Sequence, residues 1–350
     1  MTAGLHVVVP GPLHRRTGGS LYDARMVTEL RALGWRVQVH ELAGSFPGPD
    51  DAAEAALEAA LTAIPDGSRT LVDGLALGGH PAPLARHADR LRITGLVHHP
   101  LADETGLDGN TQARLLASER AALAACDTVI TTSAATRSRL GELDLYGDPV
   151  AVAEPGTDPA PPATGPAPGQ PPSLVCVASL TPRKGQDVLV AALARLRQRD
   201  WHCRLIGSTT ADPAFAARVR AAITRAELAE RITVPGECEP AAIDAALATA
   251  SFFVLPSHYE GYGMVLTEAL ARGLPVISTT GGAIADTVPG AAAQLVPPGD
   301  AGALAAALAA WLGDPDARAE AARAAWAHAQ RLSDWPTAAG RLADILEARP

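Results

Sequence analysis

The sequence predicts an α/β protein made of two doubly wound, Rossmann-like domains that face each other across a cleft. Its 350 residues are too many for one ordinary domain of this kind and suit two. Short apolar runs alternate with helical stretches rich in Ala, Leu and Arg, which is typical of parallel sheets covered by helices on both faces. A segment rich in Pro, Ala and Gly interrupts the alternation near the middle of the chain, and the alternation then starts again.

The alternation sets the expected domain boundaries. The first domain covers 1–153, with strands expected at 5–10, 35–42, 70–75, 92–97 and 127–132. The segment 154–172 is the expected linker, because proline lacks a ladder donor and favours extended backbone. The second domain covers 173–332, with strands expected at 173–180, 202–207, 231–236, 251–256, 274–279 and 292–297. The stretch 333–350 is an expected helix and a candidate to pack back on the first domain.

Composition and charge exclude several classes of function. The net charge is -9 and there is no long basic run, which argues against a general nucleic-acid binder. No stretch approaches the ~20 apolar residues of a membrane span, although peripheral membrane contact stays open. The first residues lack the pattern of a signal peptide, and the four cysteines are scattered, so the expected location is cytoplasmic.

The strongest functional signal lies in 255–282, where an apolar strand is followed by a Gly-rich loop and a helix. The loop carries Glu260 with Gly261, Tyr262 and Gly263, and Glu268 lies in the second turn of the helix. Unpaired N–H groups at a helix start suit phosphate, and glycine lets a ligand approach the backbone. The two carboxylates could accept hydrogen bonds from hydroxyls beyond either end of a diphosphate, which is the layout of a nucleotide-sugar.

A second signal is the pair Arg183-Lys184, which follows the strand 173–180 on the loop that enters a helix. Two cations at the carboxyl end of a strand suit a diphosphate, because a guanidinium can bind two oxygens at once. They could also stabilise the charge that develops on a departing nucleoside diphosphate.

These motifs, in this order, resemble the retaining family 4 glycosyltransferases (glycosyl transferases group 1) of GT-B fold, whose Glu-x7-Glu motif matches Glu260 and Glu268. The resemblance implies that Glu260 contacts the donor sugar, Glu268 the ribose diol, and Arg183 and Lys184 the diphosphate. It implies that the backbone at Gly261–Gly263 borders the sugar and phosphates. Backbone near Gly236 and Glu237 would contact the base.

Two weaker signals lie in the first domain, the half that binds the acceptor in this family. Gly18 and Gly19 form a Gly-rich turn that opens the first helix, and the family uses this loop beside the donor phosphates and the acceptor. Arg15 and Arg16 precede the turn and are candidates to face the acceptor.

A histidine at the end of the fourth strand is the other signal. His98 directly follows the apolar strand and is the better match to the family's histidine beside the transferred sugar, with His99 as the competing assignment. We expect a neutral imidazole that hydrogen-bonds a sugar hydroxyl or nearby backbone. No Cys or third His stands at ligand spacing, and Asp314-Pro-Asp316 is placed like a helix cap, so no metal is expected.

The predicted function is therefore retaining transfer of a hexose-type sugar from a UDP- or GDP-sugar, with no resident cofactor because the nucleotide-sugar is a co-substrate. The catalytic candidates are His98, Glu260, Arg183 and Lys184. The acceptor could be a lipid, a saccharide or a small metabolite. The alternatives are another enzyme acting on activated sugars, such as an epimerase or phosphorylase, and a non-catalytic nucleotide-sugar-binding protein.

Overall fold

The structure is a computed structural model that describes residues 4–48, 50–147 and 149–348. The chain divides into two compact units, the first made of 1–156 together with 333–350 and the second of 157–332. In the residues described, no helix has both the length and the apolar character needed to span a bilayer.

The first unit is a parallel sheet flanked by helices, and its strand order within the described part of the chain is β2-β1-β3-β4-β5-β6. Its strands are β1 (Gly4–Pro10), β2 (Arg36–Leu42), β3 (Arg69–Asp73), β4 (Arg92–Val97), β5 (Thr128–Thr131) and β6 (Ala151–Val152). Its helices are α1 (Gly18–Ala32), α2 (Asp51–Ala63), α3 (Gly74–Gly78), α4 (Pro81–His87), α5 (Gly109–Leu123), α6 (Ala134–Glu142) and the C-terminal helix (Trp335–Glu347).

The second unit is also a parallel sheet between helices, with the strand order β12-β11-β10-β7-β8-β9 over the residues that the structure describes. Its strands are β7 (Ser173–Val177), β8 (His202–Ile206), β9 (Ile232–Gly236), β10 (Phe252–Leu255), β11 (Val276–Thr279) and β12 (Ala293–Val296). Its helices are α7 (Gln186–Ala194), α8 (Pro213–Arg225), α9 (Pro240–Ala248), α10 (Met264–Ala271), α11 (Ile284–Thr287), α12 (Ala301–Gly313) and α13 (Pro315–Ala329). These two sheets confirm the predicted α/β class with two Rossmann-like halves.

The third strand ends earlier than the sequence predicts, and the reason is a helix cap. The apolar run at 70–75 continues past Asp73, but β3 stops there and α3 begins at Gly74. The Asp73 carboxylate accepts a hydrogen bond of 2.7 Å from the Leu75 backbone N–H, which is the usual role of an aspartate at a helix N-cap. Asp73 therefore lies at the carboxyl end of the strand rather than inside it.

The segment expected to be the linker lies along the second unit from Thr157 onward. The Thr157 hydroxyl donates to the Thr267 hydroxyl at 2.9 Å, and the Ala163 N–H donates to the Arg272 carbonyl at 2.8 Å. Proline-rich extended backbone cannot join a sheet, so these scattered hydrogen bonds hold it in place.

The C-terminal helix belongs to the first unit and packs against α1. Its first residue, Trp335, is buried beside the ring of Tyr22, and the Arg25 guanidinium lies 5.0 Å from the Trp335 ring centroid. A Cβ at Gly156 would lie 2.4 Å from the Trp335 backbone. Only glycine fits at this crossing of the two chain segments.

Candidate functional site

The second sheet has a topological switch point between β7 and β10. Numbered within the unit, its strands run 3-2-1-4-5-6, the order of dinucleotide-binding sheets. The chain leaves the paired strands β7 and β10 in opposite directions, which opens a crevice beyond their carboxyl ends. The loop after β7 carries Arg183 and Lys184, and the loop after β10 carries Glu260, so three predicted site residues lie at this crevice.

Lys184 and Glu260 form a largely buried ion pair at the switch point, with side chains 17% and 7% exposed. The Lys184 Nζ donates to both carboxylate oxygens of Glu260, at 2.6 and 2.8 Å. The Ser257 hydroxyl donates to Glu260 Oε1 at 2.5 Å. Arg183 donates to the Tyr259 carbonyl at 2.9 Å, with Nη1 3.6 Å from Glu260 Oε2. Two cations and one carboxylate leave the cluster with a net positive charge.

The electrostatics keep Glu260 ionised. Burial alone would raise the pKa of this carboxyl, but Lys184 and Arg183 outweigh it and hold the pKa below its usual value. Burial lowers the pKa of Lys184, and the charge of Glu260 only partly offsets that effect. Lys184 and Glu260 are thus both ionised, and the charge of each stabilises the charged form of the other.

Helix α10 begins directly after the glutamate loop, and its start has the geometry that the sequence predicts. Gly263 precedes the helix with φ of +90°, a left-handed conformation that favours glycine. In the described part of the chain, no side chain caps this helix, and the Leu266 N–H donates to the Gly263 carbonyl at 2.8 Å. The N–H groups that precede Leu266 at this helix start suit an anion. Gly261 and Tyr262 lie between Glu260 and Gly263, and the Tyr262 carbonyl accepts a hydrogen bond from the Thr287 hydroxyl at 2.7 Å.

Glu268 lies inside α10 and is a second, separate carboxylate of this unit. Burial raises its pKa, Arg272 on the next turn lowers it, and Asp158 and Asp244 raise it again. Arg272 is itself paired with Asp244.

Gly236 and Glu237 lie further along the sheet, at the end of β9, two strands beyond β7. Glu237 is exposed, and the Gly236 carbonyl accepts a hydrogen bond of 3.0 Å from the Gly207 N–H.

The first unit has its own cluster at the carboxyl edge of its sheet. His98 follows β4, Asp73 ends β3, and Asp23 lies on α1, the helix that follows β1. His98 Nε2 lies 3.2 Å from an oxygen of Asp73 and 3.5 Å from an oxygen of Asp23. Both carboxylates are almost fully buried, with side chains 4% exposed.

The surroundings of His98 favour an imidazolium rather than the neutral imidazole that we expected. Burial alone would lower its pKa, but the two carboxylates reverse this effect and raise the pKa to about 10. Burial raises the pKa of Asp23 to about 6, with His98 opposing and Asp73 reinforcing that shift. The sequence could not show this, because the two acids come from other elements of the fold.

The remaining candidates of the first unit occupy different surroundings. Gly18 and Gly19 are the first residues of α1, and a Cβ at Gly19 would lie 3.1 Å from the His98 ring. Arg15 folds back and donates to the Pro10 carbonyl at 3.1 Å, while Arg16 is exposed. His99 Nε2 lies 3.7 Å from the Glu104 carboxylate. Of the two histidines, His98 is the one beside the Gly-rich turn.

One carboxylate oxygen each of Asp23 and Asp73 and a ring nitrogen of His98 lie within 4.8 Å of one another, so a bound divalent cation is a second interpretation of this cluster.

Asp314 behaves as the helix cap that the sequence predicts. Its carboxylate accepts hydrogen bonds from the N–H groups of Asp316 and Ala317 at 3.1 and 2.9 Å.

Sequence reasoning missed Asp23, Asp73 and Ser257, and a signal existed for one of them. Asp23 shares the buried stripe of α1 with Met26, Val27 and Leu30, and an acid among core positions is unusual. A further signal concerns Lys184, which is the only lysine in the sequence, since every other member of the 29 basic residues is arginine.

Comparison with known proteins finds a family and several relatives that resemble part of the chain. The family described as glycosyl transferases group 1 matches residues 162–328. A GDP-mannose-dependent monoacylated alpha-(1-6)-phosphatidylinositol monomannoside mannosyltransferase from Corynebacterium glutamicum is 30% identical over 188 residues, which are 51% of this chain and 48% of the relative. The chain thus spans about half the length of the curated relatives that it matches first.

Solved structures agree over nearly the whole chain. Sucrose-phosphate synthase from Thermosynechococcus elongatus has a TM-score of 0.83 at 22% identity, covering 99% of this chain and 98% of that one. Anabaena HepE in complex with UDP and glucose has a TM-score of 0.76 at 20% identity, covering 98% of this chain and 99% of that one. At these identities the likeness concerns the fold. The residues 162–328 that resemble the glycosyl transferases group 1 family include Arg183, Lys184, Glu260 and Glu268, and we conclude that the chain has the GT-B fold.

Proposed function

We propose that the protein is a retaining glycosyltransferase of family 4, which transfers a hexose-type sugar from a UDP- or GDP-sugar to a hydroxyl group of an acceptor. The observation that carries this proposal is the buried Lys184–Glu260 pair with Arg183 beside it, placed at the switch point of the second sheet. In an ordinary solvated turn three charged side chains would be exposed, whereas here Glu260 is buried and Arg183 and Lys184 are largely buried. Burying charge is costly unless it is used or paired.

Arg183 and Lys184 would bind the donor diphosphate and stabilise it as it leaves. An ammonium group has three N–H donors, and Glu260 takes two of those of Lys184, which leaves one for a phosphate oxygen. As the bond between the anomeric carbon and the phosphate oxygen breaks, negative charge grows on that oxygen. Cations fixed in advance by Glu260 and by the Tyr259 carbonyl would stabilise this charge without reorganising.

The other groups of the second unit would hold the rest of the donor. Glu260 would orient the sugar hydroxyls, Glu268 would accept from the ribose diol, and the backbone at Gly261–Gly263 would border the phosphates. The uncapped start of α10 supports this placement, since helix N-termini favour anions. Backbone near Gly236 and Glu237 would contact the base.

In the first unit, His98 with the Gly18-Gly19 turn would lie beside the reacting sugar, and Arg15, Arg16 and His99 are candidates to contact the acceptor. Arg15 already donates to the Pro10 carbonyl, so it would have to rearrange to reach an acceptor.

Retention would follow from reaction on one face of the sugar. The acceptor oxygen forms the new bond to the anomeric carbon on the face from which the diphosphate departs, and the acceptor proton passes to the departing phosphate oxygen. This route requires no carboxylate nucleophile such as retaining glycosidases use. It requires stabilisation of the leaving group, which Arg183 and Lys184 would provide.

The donor nucleotide has two candidates. The Corynebacterium relative is named as GDP-mannose-dependent, and HepE was solved with UDP and glucose. We therefore propose a UDP- or GDP-sugar as the partner, an acceptor of unassigned class, a cytoplasmic location and no role for nucleic acid.

Incubation with labelled UDP- and GDP-sugars tests the proposal. Transfer to an acceptor with retained anomeric configuration is the expected result, with slow release of free sugar when no acceptor is present. An altered free sugar would indicate an epimerase or phosphorylase. Binding without turnover would indicate a non-catalytic protein, and neither outcome is compatible with the proposed activity.

A pair of variants then tests the leaving-group role. Arg183→Ala should lower kcat at saturating donor by the equivalent of ~2.7–4 kcal/mol, as for loss of one preorganised donor to a developing anion. Arg323→Ala removes an exposed arginine from α13 and serves as the matched control. If kcat of Arg183→Ala equals that of the control, Arg183 has no part in the chemistry.

A further inference from the structure

We propose that Asp23 and Asp73 are positioning residues that hold His98 as an imidazolium, with Nε2–H turned into the protein, so that His98 acts as a fixed positive charge and not as a base. The arrangement itself is independent of the activity, whereas its consequence for sugar transfer rests on the proposed function.

Three separate elements bring these side chains together. Asp73 comes from the end of β3 and His98 from the end of the neighbouring strand β4. Asp23 comes from the second turn of α1, on the buried stripe of that helix. The Nε2 atom lies 3.2 Å from Asp73 and 3.5 Å from Asp23, within ion-pair distance of both. Asp73 cannot turn away freely, because its other oxygen caps α3 at Leu75.

The imidazole ring is also confined on its sides. Gly19 lies against its Cδ2–Nε2 edge, where a Cβ would be 3.1 Å from Cδ2. The Tyr22 ring packs edge-on at 5.3 Å between centroids, and the Tyr22 hydroxyl is anchored on the Ala153 carbonyl at 2.9 Å. The packing therefore fixes the plane of the ring, and Nε2 is the ring atom that lies beside the two carboxylates.

The charges around the ring favour a cation. Two carboxylates with side chains only 4% exposed would repel each other, and an unpaired buried carboxylate is costly. The titratable groups that face His98 are Asp23 on α1, Asp73 on β3 and Tyr22 on α1. None of them brings a positive charge, so the imidazolium is the counter-ion, and its raised pKa agrees with the geometry.

This charge state restricts the chemistry of the site. An imidazolium has a proton on both nitrogens and cannot accept one from an acceptor hydroxyl. If the protein transfers sugar as proposed, His98 donates a hydrogen bond or stabilises developing charge, and the departing phosphate remains the base.

Histidine NMR on the full chain tests the inference. Ring-labelled histidine gives signals from ten residues, and the His98 signal is the one lost in His98→Gln. We expect the wild-type His98 signal to remain that of an imidazolium at pH 8, well above the ordinary His pKa of ~6.5. In Asp73→Asn, whose amide oxygen can still cap α3, the titration midpoint should fall by ~1–3 units, the range for loss of one adjacent opposite charge. Asp89→Asn, which neutralises an exposed acid of the same unit, should leave it unchanged.

The wild-type titration is decisive even if an Asp variant fails to fold. A His98 midpoint near the ordinary value would overturn the proposal, as would a midpoint unchanged in Asp73→Asn. Purified protein that retains one divalent ion per chain, and loses it in Asp73→Asn, would show that the cluster binds metal instead. A wild-type imidazolium combined with no sugar transfer would leave the inference standing and contradict only the proposed function.

Discussion

Removal of the single lysine should destabilise the second unit in a way that depends on pH. In Lys184→Ala the Glu260 carboxylate, 5% exposed, loses both of its hydrogen bonds to Nζ and keeps only Ser257 and the more distant Arg183. Breaking a buried ion pair by removing one partner costs about 3–5 kcal/mol. At roughly 2–4 °C per kcal/mol for a unit of this size, we expect the unfolding midpoint to fall by about 6–20 °C at pH 7.

The pKa of Glu260 determines whether the stability deficit of Lys184→Ala grows or shrinks with pH. In the wild type the pKa of Glu260 is lowered, so the pair stabilises the fold above the ordinary Glu pKa, and this stabilisation is lost as the pH falls. Without Lys184, mainly Arg183 is left to oppose the effect of burial on the Glu260 carboxyl. The pKa of Glu260 should therefore rise above its ordinary value. The variant then loses stability as the pH rises, so its deficit relative to the wild type should grow between pH 4 and pH 7.

Calorimetry of thermal unfolding measures this deficit, and a saturating nucleoside diphosphate identifies the transition of the second unit by shifting it upward. Arg323→Ala is the control for loss of one exposed positive charge. Lys184→Met combined with Glu260→Gln should recover much of the loss, because a neutral pair leaves no buried charge. Labelled lysine should give one spin system, from Lys184, that titrates below the ordinary Lys pKa.

The reasoning is refuted if Lys184→Ala lowers the midpoint no more than Arg323→Ala does, or if the deficit of Lys184→Ala relative to the wild type stays constant with pH. Either result would mean that Glu260 does not depend on Lys184 for its charge.

Three further predictions concern the same chain. Glu268→Ala should weaken binding of the bare nucleoside diphosphate by about 1.5–3 kcal/mol, whereas Glu260→Ala should mainly lower turnover; calorimetry that finds equal losses of affinity would contradict the two roles. Glu119 is buried, its carboxyl accepts from the Leu101 N–H at 3.0 Å, and burial raises its pKa to about 8. The wild type should therefore lose stability, by about 1.4 kcal/mol per pH unit, as the pH rises from the ordinary Glu pKa towards 8. Glu119→Gln should remove that slope in urea unfolding at pH 5, 7 and 9, and a slope that persists would assign it to other groups. Transfer should survive a chelator, because Arg183 and Lys184 are the cations proposed for the diphosphate; activity that is abolished and then restored by magnesium or manganese would contradict metal independence.

The strands and helices could be predicted because the apolar pattern is local. Runs such as LHVVVP and SFFVLP are long enough to identify buried parallel strands without any tertiary information. Prediction was wrong at 70–75, where the apolar pattern continues but Asp73 caps a helix. A cap depends on where one side-chain oxygen points, and periodicity does not contain that information.

The motifs proposed to bind the donor could be found from sequence because each is contiguous, whereas the ion pair between them could not. Lys184 and Glu260 are 76 residues apart in the chain, and only the adjacency of β7 and β10 brings them together. The same holds for Asp23, Asp73 and His98. The general sequence signal for such groups is an acid on an otherwise apolar helix stripe, which applies to Asp23 on α1 and to Glu119 on α5.

The two clusters have opposite charge balances, and this difference bears on their proposed roles. In the second unit two cations surround one carboxylate, so the net charge is positive and suits a diphosphate. In the first unit two carboxylates surround one imidazolium, so the net charge is negative once both acids are ionised, which disfavours a phosphate. The diphosphate of the donor should therefore be held by the second unit alone, while the first unit offers a hydrogen-bonding charge to a neutral sugar or hydroxyl. Isolated nucleoside diphosphate should accordingly bind as tightly to Asp73→Asn as to the wild type, and a tighter complex in the variant would mean that the Asp23–Asp73 pair repels the bound diphosphate.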